Sequence, residues 1–81
     1  MTNNAEQNVI EALEALVDRH GLLHVLTGLE LMCSEKAEHI SQNWQDETLA
    51  KAWRRAGDQI FKAAASAHVT YLNDIDGRKV A

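Results

Sequence analysis

Eighty-one residues make one domain, and a chain of this size buries a smaller share of its surface than one twice as long. The single cysteine, Cys33, excludes an internal disulfide, no stretch approaches the roughly 18 continuous apolar residues of a membrane span, and a net charge of −4 speaks against a nucleic-acid binder. Met1 to Asn8 is polar and has no basic segment leading into an apolar run, so no secretory signal is read there; with the lone thiol this sets the expectation of a cytoplasmic protein.

A first helix is expected over about 4–20, capped by Thr2, Asn3 or Asn4, with Val9, Ile10, Leu13, Leu16 and Val17 on its apolar side and Glu11, Glu14 and Asp18 on the wet one. Gly21 ends it, because glycine tolerates the backbone that closes a helix. A second helix follows over about 23–43, burying Leu22, Val25, Leu26, Leu29, Cys33, Ala37 and Ile40, with Trp44 open between the end of this stripe and a half-exposed anchor for a partner. Its start has no Ser, Asp or Asn in front of Leu22 to cap it, and Gly28 costs about 1 kcal/mol relative to alanine, which leaves an interruption near Thr27 and Gly28 as the alternative. Asp46 caps a third helix over about 46–70, whose stripe Leu49, Ala52, Trp53, Ala56, Ile60, Ala63, Ala64 and Ala67 is unbroken by proline. Asn73 to Ala81 reads as a short polar tail with a turn at Asp76-Gly77. The pattern predicts an all-α fold, a three-helix bundle, with residues 1–72 as its single domain and 73–81 as a flexible C-terminal tail.

Charge is unevenly spread. Residues 1–47 hold nine acids against Arg19 and Lys36, whereas residues 48–81 hold six bases against Asp58, Asp74 and Asp76. The two halves should attract, within one molecule or between two.

Catalytic chemistry finds little footing. Cys33 on an apolar stripe behaves as a small hydrophobe, and an activated thiol needs an electropositive setting where Glu30, Glu35 and Glu38 supply the opposite charge. No glycine-rich loop or serine elbow is present, so no catalytic residue and no enzyme is expected. Cys33, Glu35, Glu38 and His39 are the densest group of potential ligands, but their spacing is neither that of a zinc helix nor that of a di-iron bundle. No metal or other cofactor is expected. Asn-Asp-Ile-Asp-Gly at 73–77 lacks both the acidic first ligand and the final glutamate of a calcium loop.

Leu23, Leu31 and Met32 lie beside the main stripe of the second helix, and Phe61 and Leu72 form a second stripe on the third. With Trp44 at the helix junction, they supply more apolar surface than three short helices hide among themselves. These six are the candidate partner-binding residues, with Arg54 and Arg55 steering an acidic partner surface.

Through Cys33-Ser-Glu-Lys-Ala-Glu-His39, Asn43-Trp-Gln-Asp-Glu47 and Ala50-Lys-Ala-Trp53, residues 20–60 resemble short all-helical proteins of bacterial and phage genomes with no assigned activity. The resemblance implies a microbial, intracellular setting in which such proteins serve as adaptors or inhibitors of larger assemblies. The expected function is a small non-enzymatic protein–protein interaction module, a homodimeric adaptor or accessory subunit without a membrane or nucleic-acid partner. Two alternatives stand beside it: a phage-type inhibitor of a host defence complex whose acidic face imitates nucleic acid, and a metal-binding helical protein using Glu35, Glu38 and His39.

Overall fold

A computed structural model describes residues 4–80, with side chains as far as Asp76. Its elements are α1 (Asn4–His20), α2 (Leu22–His39), a π-helical turn (Ile40–Trp44), α3 (Glu47–Ala64) and α4 (Ala67–Val80). The all-α expectation holds among the described residues. The three-helix count does not, because these residues make four α-helices. Thr2 and Asn3, two of the expected caps, lie outside the described residues; Asn4 opens α1.

Gly21 is the joint between α1 and α2. Its N–H donates to Val17 O at 2.7 Å, closing α1, and its φ of 86° with ψ of 155° places it where a Cβ is barely tolerated. The missing cap of α2 comes from far along the chain, since Asn73 Oδ1 on α4 accepts from Leu23 N–H at 3.2 Å. This bond anchors α4 to the start of α2. α2 itself runs uninterrupted past Gly28, with Thr27 Oγ1 donating back to Leu23 O at 2.9 Å.

The second helix keeps helical backbone to Trp44, close to the expected end at 43, but its α-helical part stops at His39. After His39 the chain takes one wide turn, in which Asn43 Nδ2 donates to His39 O at 3.0 Å, and then reverses at Gln45, a non-glycine residue at φ 54°. Asp46 caps α3 as expected, its Oδ1 accepting from Leu49 N–H at 3.0 Å, while Glu47 accepts from Ser41 Oγ across the turn. Asp46→Ala should lower stability by about 1 kcal/mol, read as a reduced urea midpoint with an unchanged slope.

The expected third helix breaks at Ala65-Ser66. Ala65 N–H donates to Phe61 O and Ser66 N–H to Ala63 O, tightening the last turn of α3, and Ser66 Oγ then accepts from Val69 N–H at 3.2 Å to cap α4. α4 carries helix through the segment expected to be a polar tail, Asp76-Gly77 included.

α2 and α3 form the main packed pair, and the residues that bring them together are small. Cys33 and Ala37 on α2, and Ala50, Gly57 and Ala64 on α3, are the buried positions. The last three are seven residues apart, a heptad seam in which a Cβ at Gly57 would stand 3.2 Å from Cys33 Cβ. The apolar stripe of α3 is not this seam. Of its eight positions only Ala64 is buried; Trp53 and Ile60 are half-buried, and Leu49, Ala52, Ala56, Ala63 and Ala67 are exposed. Among the expected core residues of α2, Leu22, Val25, Leu26, Leu29 and Ile40 are half-buried.

α1 departs furthest from a bundle. Among the described residues it touches α2 and no other element, and none of its residues is buried. The chain measures 46 × 32 × 20 Å with a radius of gyration of 15.2 Å, against about 12 Å for a compact domain of this length.

Candidate partner-binding surface

The sequence-derived candidates are distributed over both ends of the α2–α3 pair. Leu23, half-buried, and Phe61, exposed, line one hollow of about 210 Å³ together with Thr27, Glu30, Ala64 and Ala65. Met32 belongs to another, with Glu35, Lys36, His39 and Ile40. Trp44 is 73% exposed in the turn that follows α2, whereas Leu72 is exposed on α4, which is tied to the beginning of α2. A helix the length of α2 spans about 27 Å, so these two side chains belong to opposite ends of the pair. Leu31 is exposed on α2. Arg54 and Arg55 are both exposed, and Arg54 Nη1 lies 3.8 Å from Glu47 Oε2, a pairing on the surface worth about 0–1 kcal/mol.

Cys33 faces the α2–α3 seam at 2% exposure, while Glu35, Glu38 and His39 are on the outside of α2. His39 Nδ1 is 3.1 Å from Asn43 Nδ2. Among the described residues no group of three or more His, Cys, Asp and Glu side chains is placed to hold a metal ion.

Two apolar surfaces that the sequence pattern assigns to the core are instead uncovered. The first is the face of α1, where Val9, Ile10, Leu13 and Leu16 are exposed, Val9 by 56%. Leu13, Leu16 and His20 reach α2 only across an open hollow of about 400 Å³ that also takes in His24, Val25, Gly28 and Leu29. Gly28 contributes to this opening, since nothing lies within 4 Å of where its Cβ would be. The second is a shallow groove on α3, lined by Leu49, Ala52, Trp53 and Ala56. Lys36 Nζ sits 5.6 Å from the Trp53 ring centroid and closes one side of that indole with a cation–π contact. Helical periodicity finds both stripes but cannot tell whether the neighbour that covers one is on the same chain.

The chain as a whole exposes 6497 Å², where a compact monomer of 9.0 kDa exposes about 4,900 Å², and these two apolar faces are part of that surface.

The described residues thus form an all-helical fold with a thin core and two exposed apolar faces, and none of their helices is long and apolar enough to cross a membrane. Compared with known proteins, it matches no family model, no curated protein and no solved structure.

Proposed function

We propose that this protein is a non-enzymatic protein–protein interaction module that works as a homodimer, an adaptor or accessory subunit in the cytoplasm. The observation that carries the reading is the small seam: a chain among whose described residues the buried positions are Cys33, Ala37, Ala50, Gly57 and Ala64 cannot draw a usual core's stabilisation from within itself. Large aliphatic side chains left outside such a seam supply the missing burial when another chain covers them. Self-association leaves the Leu23–Phe61 hollow, with the bases of α3 nearby in sequence, as the surface for a further, acidic protein partner.

Thermal unfolding followed by circular dichroism at several protein concentrations tests the dimer. Because folding and association are then one equilibrium, the Tm should rise steadily as concentration is raised about a hundredfold. A Tm independent of concentration over that range would contradict the reading.

A further inference from the structure

Resting on the homodimer reading, we infer that α1 of one copy docks in the Leu49–Trp53–Ala56 groove of α3 in a second copy, reciprocally, so that each chain lends its first helix to the other. The two surfaces match in register. Val9, Leu13 and Leu16 follow the spacing i, i+4, i+7, and Leu49, Trp53 and Ala56 follow the same spacing, so both present one heptad of about 10 Å along a helix. They also match in shape. α1 offers large aliphatic side chains, while α3 offers alanines at 52 and 56 alongside Leu49 and Trp53, a shallow floor onto which a helix carrying large side chains can settle.

Charge favours the same pairing. α1 carries Glu11, Glu14 and Asp18 against Arg19 after its first turn, whereas α3 carries Lys51, Arg54, Arg55 and Lys62 against Glu47 and Asp58. Among the described residues α1 packs on α2 and not on α3 of its own chain, which leaves the α3 groove open to the first helix of another copy. A second copy supplies the missing member on both sides at once, and the reciprocal contact closes as a two-fold pair instead of propagating as a filament.

The test pairs the centres of the two surfaces, which makes it independent of whether the helices run parallel or antiparallel. Leu13→Lys alone and Ala52→Glu alone should each weaken self-association at least about tenfold, because each puts two unpaired charges into the reciprocal interface. Mixed in equal amounts, the two variants should form a heterodimer by native mass spectrometry, with the introduced lysine of one chain meeting the introduced glutamate of the other and the second contact unaltered. Should either charged variant lose its helical signal, two chains each carrying Cys33→Ala, one with Leu13→Cys and one with Ala52→Cys, should on oxidation give the mixed disulfide in preference to either homodisulfide. Variants that remain dimeric singly, a mixture that stays monomeric, or cysteines that do not cross-link overturn this docking while the dimer itself stands. A wild-type chain that is monomeric at every concentration overturns the dimer reading first.

Discussion

Gly57→Leu is expected to lower stability by about 3 kcal/mol or more and to broaden the unfolding transition. The Cβ of any residue at 57 already stands 3.2 Å from Cys33 Cβ and 3.6 Å from Glu30 O, both fixed to the α2 backbone. Leucine places three further carbons into that space, and they can be accommodated only by driving α2 and α3 apart along the seam that holds the molecule together. Gly57→Ala separates the terms. It gains about 1 kcal/mol of helix propensity and meets only the 3.2 Å contact, so its net effect should be small beside that of leucine. Urea unfolding monitored by tryptophan fluorescence measures both; a leucine variant within about 1 kcal/mol of wild type would refute the close-packed seam.

The second large effect is expected at Gly21. Gly21→Ala should cost about 2–4 kcal/mol, because it imposes two penalties: a backbone at φ 86° and ψ 155° that only glycine adopts easily, and a Cβ that would lie 2.8 Å from Asn73 Oδ1. Displacing Asn73 also uncaps α2. Asn73→Ala alone therefore should cost about 1 kcal/mol, and in the double variant the two losses should add to less than their sum, since one removes what the other obstructs. Full additivity in a double-mutant cycle would show that Asn73 does not cap α2.

Those two positions also show where sequence reading reaches and where it stops. The end of α1 at His20, the break at Gly21 and the Asp46 cap were legible because each depends on residues adjacent in the chain. The cap of α2 was not, since its donor helix starts with a bare Leu22 and its acceptor arrives fifty residues later. Ser66 was a local signal of the α3–α4 break, but it stood amid Ala63, Ala64, Ala65 and Ala67, which suit a continuous helix equally well. Hydropathy then pointed to the wrong face of α3. The Leu49–Trp53–Ala56–Ile60 line is the more apolar, yet α2 packs on Ala50, Gly57 and Ala64, where small size and not hydrophobicity decides how near two backbones come.

The same distinction governs the candidate surface. Of the apolar candidates, Leu31, Met32, Trp44, Phe61 and Leu72 are exposed and Leu23 is half-buried. The face of α1 and the α3 groove were missed because an amphipathic stripe records only that something covers it.

Sedimentation equilibrium at micromolar concentration tests the dependence of this fold on a second copy most directly. The mass should be twice the 9.0 kDa of one chain. A mass of one chain, with native helix content and cooperative unfolding retained, would contradict it.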